Sequence, residues 1–233
     1  THTPVGTPKG IIVLIVENLG YEGYVLGVTY GGVALTEVSG SPLDGTAGAE
    51  DGAVQIFTLL SGVPSGAQTV VVTVDEDLST HTRACVCVSV TASTSSVVLE
   101  NGGAAFGLNS ASTAAPSCGA VTIATENAVY AIGAIHAGRD AVTQLDVDTG
   151  YSQIIEFDFG SQTGSWAYKT TNFSGSGGYS NVLAWTFTVA DEAHCLGILL
   201  TEPEATDVFI EGLSRIECGV KASTAAQLGG VLV

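Results

Sequence analysis

The sequence predicts an all-β protein, an antiparallel sandwich of two sheets that ends in a C-terminal arm. Its apolar segments are short, rich in β-branched residues and separated by Gly, Ser, Asn, Asp or Pro. No helical pattern of a dozen residues lies between them, which favours a sandwich over an α/β fold. The 30 glycines agree with this, because tight turns between strands need positive φ angles that Gly adopts freely.

The predicted strands follow one another at the short intervals typical of such a fold. The Gly31-Gly32 pair predicts a two-residue hairpin turn between two of them. Residues 11–16 are apolar on both faces, so they predict a central strand, or one whose outer face is covered by another element or subunit. We predict strands at 10–17, 24–30, 33–38, 53–60, 68–75, 82–91, 119–125, 128–136, 151–159, 166–171, 182–189 and 195–201.

Three segments organise the chain, namely an N-terminal extension at 1–9, the sandwich domain at 10–203 and the C-terminal arm at 204–233. Residues 93–117, rich in Ser, Ala, Asn and Gly, predict a long connection between two halves of similar texture. The arm carries two apolar patches, which predict that it closes a sheet edge in its own domain or docks onto a neighbour by strand addition. The apolar run at 11–16 and the two patches of the arm together give the predicted partner-binding residues. These are Ile11, Val13, Val208, Phe209, Ile210, Leu228, Val231, Leu232 and Val233.

The charge balance excludes one class of partner. Six basic residues oppose 23 acidic ones, for a formal net charge of −17. Nucleic acid and anionic membrane surfaces repel such a chain, and its six cations are spread singly along the sequence. We therefore expect neither nucleic acid nor a membrane as partner.

The five cysteines do not form a recognisable framework. Cys85 and Cys87 are one residue apart in a predicted strand, so they should be small buried hydrophobes on one face. A disulfide among Cys118, Cys195 and Cys218 is left open by the spacing. No zinc-site spacing and no catalytic nucleophile motif is present, so we expect no enzyme activity.

Five segments share the order and turn chemistry of a known sandwich module. They are VTYGGVAL (28–35), AVQIFTLL (53–60), GVPSGAQTVVVTV (62–74), VLAWTFTV (182–189) and HCLGILLTE (194–202). Together they resemble a jelly-roll module of bacteriophage virion proteins and bacterial surface proteins, over roughly residues 10–202. The resemblance implies a jelly-roll-like fold that the last two segments close, in a virion or surface component, and it brings no catalytic residues.

Two weaker patterns suggest ligands. Asp146 and Asp148 precede Gly150, as at the start of a calcium loop, although an Asp-rich turn is the favoured explanation because the further ligands of a full loop are missing. Trp166, Tyr168 and Tyr179 could form a sugar-stacking patch, or fill the core. Apart from calcium, no cofactor is expected.

These observations predict a non-enzymatic virion structural protein, an exterior capsid decoration or stabilising component assembled in the host cytoplasm. Its partners would be other virion proteins or copies of itself, as a homo-oligomer or on a capsid lattice. The alternative is a tail-fibre or surface adhesin module that binds host glycans. A third hypothesis, a glycoside hydrolase with Glu156 and Asp158 as its carboxylates, ranks last because aromatic residues to line a cleft are few.

Overall fold

Strands make up the regular structure of the chain. The computed structural model describes residues 1–18, 25–44, 52–74, 82–92, 96–100, 103, 105–123, 129–138, 146–147, 151–158, 163–169, 177–179, 183–187, 190–201 and 208–218. Within them there is no α-helix, and hence no helix long and apolar enough to cross a membrane. The predicted all-β class is confirmed.

The strands are numbered in chain order, and most of those predicted are present. The hairpin at Gly31 and Gly32 is confirmed, with φ angles of 57° and 82° between its two paired strands. The strands are β1 (Gly10–Asn18), β2 (Val25–Tyr30), β3 (Val33–Ala34), β4 (Thr36–Glu37), β5 (Leu43–Asp44), β6 (Gly52–Leu59), β7 (Val70–Val74), β8 (Thr82–Ala92), β9 (Val98–Leu99), β10 (Phe106–Thr113), β11 (Val121–Ile123), β12 (Val129–Ala137), β13 (Asp146–Val147), β14 (Ser152–Asp158), β15 (Thr163–Lys169), β16 (Gly177–Tyr179), β17 (Trp185–Thr186), β18 (Asp191–Thr201) and β19 (Val208–Cys218).

Two main sheets, both antiparallel, form the body of the protein. The first has the order β19-β8-β1-β6-β4, and β5 also pairs with β6. The second has the order β10-β18-β12-β15-β14, and β9 also pairs with β18. A smaller cover sheet, β3-β2-β7, packs on the first main sheet through shared buried residues.

The two halves of the chain build their main sheets in the same order. In the first half β1 is central, β6 and β8 flank it, and β4 and β5 lie beyond β6. In the second half β12 is central, β15 and β18 flank it, and β14 lies beyond β15. The smaller pairings repeat as well, because β2–β7 corresponds to β13–β17, and the isolated bridge of His2 with Gln68 corresponds to β11–β16.

The strand that follows each half completes the sheet of the other half. β10 follows β8 along the chain and pairs with β18, whereas β19 follows β18 and pairs with β8. The β19 register runs from Val208 opposite Ala92 to Cys218 opposite Arg83, with an irregularity after Glu211. Each half of the protein therefore depends on a strand from beyond its own boundary.

Three buried clusters hold these layers together. The central core lies between the main sheets, and an outer core lies on the far side of each. The central core contains Ile12, Leu14, Val16, Val54, Ile56, Val86, Val88, Ile132, Trp166, Leu196 and Ile198. The first outer core contains Ile11, Val13, Ile15, Val25, Val28, Tyr30, Val70, Val72, Val74, Cys85 and Cys87, under the cover sheet. The second outer core contains Ala131, Ile135, Cys195 and Leu199 under Cys118, Val121, Leu183, Trp185 and Phe187.

Strand β1 is buried on both faces because it lies between the central core and the first outer core. Every side chain from Ile11 to Val16 is fully buried. Each such side chain contributes about 1.5–3 kcal/mol by leaving water. Of the two alternatives open for residues 11–16, a central strand covered by another element of the same chain is the one observed.

Two segments differ most from the sequence-based expectation. Residues 93–117 predict a connection, yet β9 (Val98–Leu99) and β10 (Phe106–Thr113) lie within them. The pairing of β10 with β18 satisfies its backbone groups, so the small residues after Leu108 need not supply an apolar pattern. Conversely, of the described residues 183–187 in the predicted strand 182–189, only Trp185–Thr186 form a strand, although Leu183, Trp185 and Phe187 are all buried as the alternation requires.

The main sheets approach each other closely at one glycine. An ideal Cβ on Gly52, in β6, would lie 2.0 Å from Cε1 of His136, in β12. Only Gly therefore fits at this point of the first sheet, because any side chain there would overlap the imidazole.

Gly52→Ala should destabilise the fold by about 1–3 kcal/mol, the usual cost of overpacking a buried site. Chemical denaturation measures the loss. Gly27→Ala in β2 is the matched control, because a Cβ there meets nothing within 4 Å. Adding His136→Ala to Gly52→Ala should recover part of the loss, and equal losses at Gly52 and Gly27 would contradict the contact.

Candidate functional site

The outer face of the cover sheet is the candidate docking surface, and we call it the uncharged face. It consists of the solvent-side residues Leu26, Thr29, Ala34, Val71 and Thr73. Leu26 is 63 % exposed, and none of the five is buried. Their inward neighbours Val28, Tyr30, Val70 and Val72 fill the first outer core, so strand alternation directs Thr29, Val71 and Thr73 outward. Leu26 lies at the register shift between Val25 and Gly27, and its exposure places it on the same outer side.

The uncharged face is a property of two uninterrupted stretches of sequence. Residues 25–36 and 52–74 contain no Asp, Glu, Lys, Arg or His. The chain has a formal charge of −17, so an uncharged, partly apolar surface of this kind contrasts with its overall composition. Exposed apolar patches on soluble proteins often mark contact sites for other molecules.

A buried ion pair lies beneath one end of the cover sheet. Glu17 in β1 and Arg83 in β8 are directly opposite in register, and their side chains are 0 % and 1 % exposed. The Arg83 Nε–H donates a hydrogen bond to Oε2 of Glu17. Glu17 lies on the same face of β1 as Ile11, Val13 and Ile15. Arg83 lies on the same face of β8 as Cys85 and Cys87, so both charged side chains are on the side of the first outer core.

Gln55 ties the cover sheet to the first main sheet beside this ion pair. Its side-chain Oε1 accepts the Val25 N–H at 2.9 Å, and its Nε2 donates to the Val25 carbonyl at 3.3 Å and to Glu37 Oε1 at 3.1 Å. Ser41 Oγ donates to the same Glu37 oxygen at 2.9 Å and accepts the Ile56 N–H at 3.1 Å. The start of β2 is therefore fixed by side-chain hydrogen bonds instead of by a continuous ladder.

Burial dominates the electrostatics of the pair. It raises the pKa of Glu17 from 4.5 to about 7, although the Arg83 guanidinium and the Val25 N–H oppose the rise. Desolvation thus exceeds the attraction between the charges, as is common for buried ion pairs. The pair positions β1, β8 and β2 relative to one another more than it stabilises the fold.

Two histidines form a second polar feature, between the main sheets. His136 in β12 and His194 in β18 are opposite in register, and both are buried. Their rings stack with centroids 6.0 Å apart and planes inclined by 20°. In the described part of the chain, no group of three or more His, Cys, Asp or Glu side chains is arranged to hold a metal ion.

Cys118 and Cys195 lie together in the second outer core. Both thiols are buried and unbridged, and they share a hydrogen bond. Burial, then this contact with Cys195, raises the pKa of Cys118 well above its usual value. Of the pairings that the sequence left open, the fold brings Cys118 and Cys195 into contact. Cys218 lies on β19, whose side chains are outside the description, so its pairings stay open.

The predicted partner-binding residues are separated by the fold. Ile11 and Val13 are fully buried under the cover sheet, so they contact their own chain and are unavailable to a partner, which corrects their assignment. The backbone of Val208–Ile210 pairs with β8 of the same chain, as the start of β19. The remaining four lie outside the described residues: Leu228, Val231, Leu232 and Val233.

The fold places one member of the predicted glycan patch in the core. Trp166 is 1 % exposed and belongs to the central core, so its ring cannot stack on a sugar, and its assignment is corrected in favour of core filling. Tyr168 packs against the same core, half-buried. Tyr179 lies in β16, of which the backbone alone is described.

The structure describes only part of the predicted calcium site and of the predicted carboxylate pair. Asp146 lies in β13 opposite Thr186, whereas Asp148 lies outside the described residues, so calcium binding stays a prediction. Glu156 lies in the edge strand β14, half-buried, and its Oε2 accepts a hydrogen bond from Gln153 Nε2 at 3.4 Å. The side chain of Asp158 is outside the description, so no carboxylate pair is defined here.

Sequence reasoning missed two features that carry signals in the sequence. The uncharged face is signalled by the charge-free stretches 25–36 and 52–74. The buried ion pair is signalled by single charges at the ends of two apolar strands, Glu17 and Arg83. Neither signal says which strands become neighbours, so the pairing itself required the structure.

No protein-family model, curated protein sequence or solved structure matches this chain.

Removing one partner of the buried pair should be costly, and removing both should be nearly neutral. Glu17→Leu or Arg83→Met alone leaves a buried charge without its counter-ion, at about 3–5 kcal/mol. At pH 7 the double variant, which replaces both with apolar side chains, should lie within about 1 kcal/mol of the wild type. Denaturant unfolding of the four proteins measures the coupling energy, and additive single-variant losses would contradict the pair.

The ionisation of Glu17 should make the free energy of unfolding depend on pH. The folded-state pKa of Glu17 is raised from 4.5 to about 7, so its protonated form is favoured by folding. The stability from this group is fully present below pH 4.5 and is lost as the pH rises through 7. Relative to the double variant, which lacks the group, the wild type should lose about 3 kcal/mol over that window. A constant difference between the two proteins would contradict the raised pKa.

Proposed function

We propose that this protein is a non-enzymatic structural protein of a bacteriophage virion that decorates or stabilises the capsid exterior through protein–protein contacts. The uncharged face is the observation that carries the proposal. Leu26 and its neighbours expose an uncharged, partly apolar surface on a strongly acidic molecule. A neutral surface of this kind suits a protein partner, whereas the acidic remainder keeps the protein soluble and separate from like-charged molecules.

The acidity also favours one side of the shell for this protein. Packaged DNA repels a chain with a formal charge of −17, so an outer position on a shell is favoured over an inner one. The jelly-roll connectivity and a docking role for the arm at 204–233 belong to the same proposal, as implied by the resemblance of residues 10–202 to phage sandwich modules.

The architecture suits a structural role. Layers packed on both faces of β1 and β12 leave these strands without a solvent-exposed side, and such strands open only with the whole sheet. A decoration protein has to keep its shape while the shell beneath it expands or is stressed. The fold supplies that rigidity through apolar burial, with no disulfide among Cys85, Cys87, Cys118 and Cys195.

Binding to capsids that lack the protein tests the proposal. Purified protein should bind such shells in a fixed stoichiometry, measured by co-sedimentation and by imaging of the decorated particle. Leu26→Lys should weaken binding by about tenfold or more, because a charge would replace an apolar contact.

Thr122→Lys is the matched control, because it adds the same charge at an exposed position of β11, away from the uncharged face. Its binding should equal that of the wild type. Absence of binding to any shell would refute the function, and equal losses in both variants would refute the uncharged face as the contact.

A further inference from the structure

β19 occupies an edge that the rest of the chain leaves open. Without it, β8 would be the last strand of the first main sheet, with its backbone groups on that side unpaired. The β8 side chains from Arg83 to Val90 are all buried, so this strand lacks the charged, solvated character that protects natural edges. The β8 edge is therefore an acceptor site that needs a strand.

The order of the halves suggests where that strand can come from. β10 comes after the first half in the sequence and pairs with β18 of the second half, so it completes the half that follows it along the chain. β19 comes after the second half in the same way, but within the single chain it pairs with β8 of the first half, which precedes it. The next unit in the forward direction would be the first half of another copy.

The connection that leads to β19 is short. Residues 93–97 join β8 to β9, which already pairs with β18 of the second main sheet, and residues 202–207 join β18 to β19. The chain therefore passes between the main sheets through five residues at the first connection and six at the second. Short connections of this kind favour exchange of the following element between copies.

We propose that β19 (Val208–Cys218) is an exchangeable strand that completes the β8 edge of a second copy of this chain. The sequence that fits this edge is already defined by its register, from Val208 opposite Ala92 to Cys218 opposite Arg83. A partner that offers the same strand is therefore another copy. The inference rests on the proposed structural function and names the partner and the segment through which copies join.

Exchange within and between chains forms the same backbone pairs, so their balance depends on the connection and on the local concentration of the second copy. A single chain is favoured in dilute solution, where its own strand is always near. Copies held side by side on a shell have a high effective concentration, which favours exchange. Because the strand is passed from the end of one copy to the start of the next, the contact is head-to-tail and generates a ring or a filament.

Isotope-labelled copies test the exchange. Ser214 lies opposite Cys87 in the register, so the Ser214→Cys variant can form a disulfide across the β8–β19 pair. Two thiols lose two protons and two electrons to added oxidised glutathione, which leaves as two reduced molecules. Nitrogen-14 and nitrogen-15 versions of the variant are unfolded together, refolded at low and at high concentration, oxidised and digested.

Exchange predicts cross-linked peptides that join one light and one heavy chain. Their share of all cross-links should rise with protein concentration toward one half. Cross-links within single-isotope chains alone, or none between these positions, would overturn the proposal. Arg215→Cys is the control, because it lies opposite Val86 and should give no such cross-link. Ile216→Cys, opposite Cys85, repeats the test if Ser214→Cys folds poorly.

The outcomes separate this inference from the proposed function. A protein that binds capsids but gives only light–light and heavy–heavy cross-links is a decoration protein whose copies do not exchange strands. A protein that exchanges strands but binds no shell is a self-assembling protein with a different location.

Discussion

The burial of β1 and β12 on both faces is the constraint on which the rest of the structure depends. A strand with no solvated side must be apolar along its whole length, and it needs packing partners above and below. Residues 11–16 meet the first condition. The second condition explains the layers, because each main sheet packs on the other through the central core and under a cover through an outer core.

Polar groups in these layers act where apolar packing alone would leave the arrangement undefined. A cover sheet could slide over a smooth apolar surface, but Gln55 holds both backbone groups of Val25 and so fixes its position. The Glu17–Arg83 pair does the same for the register of β1 and β8. Its desolvation offsets its attraction, so its value lies in specifying one arrangement over others.

Local patterns in the sequence predict the strands that pack, and they say little about how distant strands pair. Residues 10–17 and the Gly31-Gly32 turn are predicted well because alternation, β-branching and turn chemistry are local properties. β10 is not predicted because most of its residues after Leu108 are small and polar, and its pairing with β18 makes this segment a strand. The candidate docking surface could have been found from its missing charges. The burial of Trp166 and the pairing of β10 with β18 and of β19 with β8 depend on contacts between distant parts of the chain.

The position of β19 also affects how the protein is made. The ribosome releases the first half long before Val208–Cys218 is synthesised, since more than a hundred residues separate that strand from β8. During this interval the first sheet has an open apolar edge, which is the type of surface that chaperones bind and that neighbouring nascent chains can pair with. Chains translated side by side on one messenger would meet one another at this stage, so the conditions of synthesis, as well as the final stability, decide which partner the edge receives.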